Sequence, residues 1–222
     1  MFVNGTEGNI SMGHSWELSA IGVITPGRTF ARAGELGHLL ATGTLEQLSS
    51  IKVDDHPSIK AVVIPVHLPL KQYPAVEETT RLLREAESKL NLLESNNGDN
   101  MDQVRRAKSE ELYASITNFY AKETARFADG LLPIELQGIR IDGATFVAVP
   151  AEVFVEIGLR LKQTAARPVF IVGIANGYIG YLPTMAAHKV GGYEVVSSKC
   201  RPEADEILVE QVLGLEQQLF PT

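Results

Sequence analysis

Residues 145–162, TFVAVPAEVFVEIGLRLK, and residues 167–184, RPVFIVGIANGYIGYLPT, decide the fold. In the first stretch an apolar run, Phe146 to Val149, meets Pro150. Beyond the proline, Val153, Phe154, Ile157 and Leu161 recur three and four apart, the period of a helix with one buried face. In the second stretch an apolar run over residues 169–175 breaks at Asn176-Gly177, a pair that tolerates positive φ and so makes a turn. Strand, stop, helix, strand, turn is the reading. If the two strands are neighbours in one sheet, Glu152 leaves the first at the same edge where Tyr178 and Tyr181 follow the second. That edge is where open α/β sheets place their ligands.

Working outward, residues 132–141 (LPIELQGIRI) alternate apolar and polar positions. Asp142-Gly143 then reads as a hairpin turn into the strand that delivers Glu152. Residues 59–70 (IKAVVIPVHLPL) are β-rich, but Pro65 and Pro69 cannot donate to a ladder, which predicts an edge strand or one that ends near Pro65. Residues 28–51 carry leucines at helical spacing and predict a helix packed on the sheet, with His38 partly buried in it. Two amphipathic segments, 76–94 and 101–129, joined by the polar 95–100, predict a helical hairpin, and 203–219 predict a closing helix. The expected architecture is α/β: a mixed sheet flanked by helices, with a protruding two-helix hairpin at about 76–129, in one domain over 1–222.

Composition narrows the function. The chain has 222 residues, is 45% hydrophobic and 21% charged, and carries a formal net charge of −7, which argues against nucleic acid as a partner. No stretch reaches the roughly 18 apolar residues that would span a bilayer, so no transmembrane segment is expected. Its one cysteine, Cys200, rules out an internal disulfide and a cysteine-based zinc cluster.

Pro150-Ala151-Glu152, the following Gly158-Leu159-Arg160-Leu161, Asn176-x-Tyr178-x-x-Tyr181 and Tyr193-Glu194 resemble, in that order, the neutral/alkaline ceramidase family of zinc amidases. The resemblance implies that Glu152 and Tyr181 are zinc ligands. It also places Asn176, Tyr178, Tyr193 and Glu194 at the substrate side of the site. Near the start, Gly8-Asn9-Ile10-Ser11 is similar to the family's G-D-x-S-P-N element, with Asn9 in place of Asp and Met12-Gly13 in place of Pro-Asn. Ser11 is by that resemblance a candidate catalytic serine; read from its own position it is a turn serine bonded to local backbone.

Zinc suits amide hydrolysis because it lowers the pKa of bound water toward about 7 and polarises a carbonyl. The family's two histidine ligands lie upstream of the serine element, and no histidine pair of ligand spacing occurs here, His14, His56, His67 and His188 being scattered. The resemblance therefore implies an incomplete zinc site. It makes the chain the C-terminal part of a catalytic domain, truncated at its N-terminus, whose partners would be the missing N-terminal half and an amide or lipid substrate. An N-acyl-sphingosine amide is the family's substrate, and a secreted or periplasmic location is compatible with the resemblance. The alternative is an α/β binding module that keeps the fold without catalysis.

Overall fold

The computed structural model describes residues 2–13, 15–24, 26–53, 55–95 and 100–220. The polar connection at 96–99, and His14, lie outside the described residues. The chain divides into two compact units, Ile10–Pro57 and Met1–Asn9 with Ser58–Thr222.

Within Ile10–Pro57 there are two helices, α1 (Trp16–Ala20) and α2 (Phe30–Leu48). Thr29 caps α2, its Oγ1 accepting from the Arg32 amide at 3.1 Å. The helix forms where leucine spacing predicts it. No α2 residue is buried, Leu39 and Leu40 are each 67% exposed, and His38 is exposed rather than partly buried. Periodicity reports that a helix has an apolar stripe; it does not supply a surface to cover that stripe.

The larger unit contains, in chain order, β1 (Ile59–Pro69), α3 (Val76–Ser95), α4 (Met101–Thr124), β2 (Leu131–Ile141), β3 (Ala144–Ala148), β4 (Glu152–Val153), α5 (Val155–Thr164), β5 (Val169–Val172), β6 (Tyr181–Leu182), α6 (Met185–Val190), α7 (Tyr193–Val196) and α8 (Ala204–Leu219). Four strands make a mixed sheet in the order β1-β2-β3-β5. The first three are antiparallel neighbours, and β3 pairs with β5 in parallel, Thr145 opposite Val169. The protein is thus α/β, as expected. β1 runs through Pro65 and holds the sheet's edge, where a residue without an N–H is tolerated. Asp142 turns β2 into β3 at φ 49, and its amide donates to the Ser58 carbonyl at 2.9 Å.

One face of the sheet carries the core. Leu132, Ile134 and Leu136 alternate inward along β2 and pack with Leu208, Val212, Leu215 and Leu219 of α8 and with Ile157 and Leu161 of α5. α8 approaches β2 so closely that a Cβ at Gly138 would lie 1.9 Å from Leu215 Cδ2, which is why that strand position has no side chain. Lys60 Nζ and Arg140 donate to the Gln218 and Leu219 carbonyls, placing cations at the negative end of α8. α3 and α4 form the expected hairpin, α4 ending at Thr124 rather than near 129. Between them Thr79 and Thr80 both donate to Asn118 Oδ1, at 3.1 and 3.0 Å.

One expectation needs correction. The run at 169–175 is a strand only to Val172, because the Gly173 amide leaves the ladder to donate to the Asn4 carbonyl. Residues 4–9 form an irregular segment anchored by backbone bonds, including the Gly8 amide to the Val153 carbonyl at 2.9 Å.

Candidate functional site

Beyond β3 and β5 the backbone builds a second, two-stranded parallel ladder. In it Glu152 is the register partner of Tyr181, and Val153 of Leu182. The Glu152 amide donates to the Gly180 carbonyl at 3.1 Å and the Phe154 amide to Leu182 at 3.2 Å. Glu152 therefore sits in a strand, not in the first turn of α5, which begins at Val155.

The return from β5 to β6 is a tight, positive-φ loop: Ile174 at 53°, Asn176 at 63°, Gly177 at 144° and Gly180 at 87°. Asn-Gly makes its turn as expected. The Ile174 value is costlier, since a β-branched residue rarely adopts it. The loop is held down by the amides of Ile174, Ala175 and Ile179, which donate to the carbonyls of Ala151, Val149 and Pro150.

Inside this frame the side chains converge. Tyr178 donates its hydroxyl to Glu152 Oε1 at 2.6 Å. Tyr181 lies edge-on to Tyr193, ring centroids 6.1 Å apart. Burial, the hydrogen bond and the Glu152 charge hold the Tyr178 phenol far above its ordinary range. Burial and then the Glu152 charge do the same for Tyr181. Both phenols are held in their protonated form, and Tyr178 donates to the carboxylate.

The other candidates fall differently. Tyr193 opens α7 behind Gly192 at φ 108, with Glu194 next to it, both partly buried. Asn176 turns away from the carboxylate, and its Nδ2 donates to Gln137 Oε1 on β2 at 3.0 Å. Ser11 belongs to Ile10–Pro57, where its Oγ accepts from the Gly13 amide at 3.1 Å, the turn-serine arrangement.

Sequence reading missed two residues here. Glu7 tucks its carboxylate against Gly173, where a Cβ would stand 2.8 Å from Glu7 Oε2. Neither Glu7 oxygen has a hydrogen-bond partner among the described residues. Burial chiefly raises its pKa, its own backbone amide opposes that, and the Glu152 charge adds to it. A glycine closing an apolar run was the available signal of close approach. The second is Tyr120 of α4, whose hydroxyl donates to the Ser197 carbonyl at 2.7 Å. Its phenol is pushed up to about 12 by burial, then by Tyr193 and Glu152. In the sequence it is one more apolar position of a helix stripe.

Among the described residues no group of three or more His, Cys, Asp or Glu side chains is gathered to hold a metal. Zinc normally takes four ligands drawn from histidine, cysteine and carboxylate. Glu152 is a carboxylate of that kind, and among the described residues no group of three such side chains gathers around it. No helix among them is long and apolar enough to cross a membrane.

No protein-family model and no curated protein sequence matches the chain. Among solved structures it is similar to "Ceramidase complexed with C2", at 25% identity and a TM-score of 0.34. It is also similar to a neutral ceramidase from Pseudomonas aeruginosa, at 24% identity and a TM-score of 0.35. Each match takes in 40% of this chain and 16% of the other protein.

Proposed function

We propose that the Glu152 edge is one part of an amide-hydrolysing centre, in which Glu152 and Tyr181 contribute two oxygen ligands to a zinc ion. The observation that carries this reading is the direct register pairing of the two residues on β4 and β6. When bound, the metal would supply Lewis-acid polarisation and an activated water. This chain's own groups orient and donate. The ladder fixes the carboxylate, and Tyr178 presents a protonated hydroxyl to it. Histidines supplied by another segment, in this polypeptide or a second one, would complete the shell. The proposed substrate is a linear amide, N-acyl-sphingosine being the member to which the sequence resemblance points, and Ser11 is retained as the candidate serine.

The competing reading is a binding module without catalysis. It is favoured by the absence of a gathered histidine set among the described residues.

Cobalt titration of the full chain, with and without free imidazole, separates the two. Imidazole stands in for the absent nitrogen ligands, and the intense visible bands of four-coordinate cobalt report the site. The hydrolytic reading expects imidazole-dependent bands in the wild type that are lost in Glu152→Gln and weakened in Tyr181→Phe. No bands, or bands untouched by both substitutions, would remove it.

A further inference from the structure

We infer that Tyr120, on the helical hairpin, is a positioning residue for the Glu152–Tyr181 pair, so that α4 is the rear support of the site. The inference rests on the reading of that pair as the working centre, but its geometry is independent of any metal.

Three observations carry it. First, the Tyr120 hydroxyl donates to the Ser197 carbonyl at 2.7 Å. Second, the same oxygen lies against Gly180, where an added Cβ would stand 3.0 Å from it and 3.1 Å from the Ser197 carbonyl oxygen. Gly180 is the residue whose carbonyl receives the Glu152 amide and whose next neighbour is Tyr181; it also bridges to Ser198. A hydroxyl that leaves no room for a side chain at Gly180 therefore backs the stretch of backbone that sets both site side chains. Third, Ser197 is the C-cap of α7, whose first residue is Tyr193, edge-on to Tyr181. Tyr120 fixes that segment from the hairpin side.

The neighbourhood supplies its own control. Tyr73 donates to the Ser198 carbonyl at 3.2 Å, and its ring lies 6.3 Å from that of Tyr120. Yet it makes no contact with Gly180 of the kind Tyr120 makes. If the hairpin merely packs, loss of either hydroxyl should have the same effect.

The test uses the full chain labelled with 13C at the tyrosine Cζ positions, in wild type, Tyr120→Phe, Tyr73→Phe and Glu152→Gln. Glu152→Gln identifies the Tyr178 and Tyr181 resonances as those that respond to the carboxylate. Tyr120→Phe is expected to move both, while Tyr73→Phe leaves them in place. Gly180→Ala, which crowds the same contact from the other side, is expected to move them too and serves if Tyr120→Phe folds poorly. Unmoved resonances in both Tyr120→Phe and Gly180→Ala, or equal movement in Tyr120→Phe and Tyr73→Phe, would overturn the inference. In the cobalt assay with imidazole, Tyr120→Phe should weaken binding about fivefold, the size of one hydrogen bond's net contribution. A wild-type chain that binds no cobalt would count against the metal reading alone, because the resonances decide the positioning role without it.

Discussion

Glu152 and Tyr181 are opposite one another in a two-residue parallel ladder, and Tyr178, three residues before Tyr181, closes its hydroxyl onto Glu152 Oε1 at 2.6 Å. A carboxylate that accepts one phenol and faces another stabilises both neutral phenols against ionisation. Replacing it with an amide of the same shape keeps an acceptor and removes the charge. Glu152→Gln should therefore lower the ionisation midpoints of Tyr178 and Tyr181, with Tyr181, the half-buried one, staying above a free tyrosine. Absorbance of tyrosinate followed against pH, with Tyr178→Phe and Tyr181→Phe to assign the transitions, checks this. Midpoints that do not fall would mean that the carboxylate charge is not what the phenols feel.

The N-terminal segment offers a sharper steric prediction. A Cβ at Gly8 would stand 2.4 Å from the Glu152 carbonyl oxygen, a backbone atom that cannot swing away, whereas Gly5 has open space around it. Gly8→Ala should cost about 1–3 kcal/mol, as overpacking does. Gly5→Ala should stay within about 0.5 kcal/mol. Denaturant unfolding of the two variants measures the contrast, and equal stabilities would mean that residues 4–9 do not dock where the structure puts them.

Much of the frame was legible in the sequence because it is local. The Asp142-Gly143 hairpin, the Asn176-Gly177 turn and the proline-bearing edge strand each announce themselves within a few residues. The boundary at Glu152 was harder. Val153 and Phe154 continue the helical spacing of Ile157 and Leu161, so periodicity pulls the helix back toward Glu152, and Phe154 offers no side-chain cap to mark the true start. What the sequence could not show is long-range placement. Glu7 against Gly173 and Tyr120 against Gly180 are contacts between segments far apart in the chain, with no pattern linking them. The unburied face of α2 is the converse case, a clear stripe with no α2 residue buried.

Asn9 shows how a departure from a motif can be explained locally. Its Oδ1 accepts the Val155 amide at 2.8 Å, and its Nδ2 donates to both oxygens of Glu156, at 3.1 and 2.9 Å. It thus satisfies the first free N–H of α5 from outside the helix. Asn9→Ala should cost about 1 kcal/mol, the usual value of such a cap. Aspartate at position 9, the motif's own residue, would keep the acceptor but set a second carboxylate against Glu156. Asn9→Asp should therefore be less stable than wild type at neutral pH, and adding Glu156→Gln should recover the loss. Thermal unfolding of the single and double variants tests the pairing.

Lys71 gives a pH-dependent prediction whose sign is opposite to that of an ion-paired lysine. Its Nζ donates to the Val195 and Ser198 carbonyls, at 2.5 and 2.6 Å, from a half-buried position. Burial, only partly opposed by Cys200, lowers its pKa from 10.5 to about 8. Between those two values the unfolded chain holds a proton that the folded chain has released, so the unfolded state binds more protons and stability rises with pH across that window. Below about 8 both states are protonated and the cost of burying the charge is fully present. Lys71→Met removes the titration along with the two hydrogen bonds. The variant should be less stable throughout, and its deficit relative to wild type should widen between pH 8 and pH 10 as the wild-type penalty is relieved. Chemical denaturation of both proteins across that range measures the difference, in which the ionisation of other groups cancels to first order. A deficit that stays constant would place the Lys71 ammonium in solvent rather than on the carbonyls that close the α7 segment.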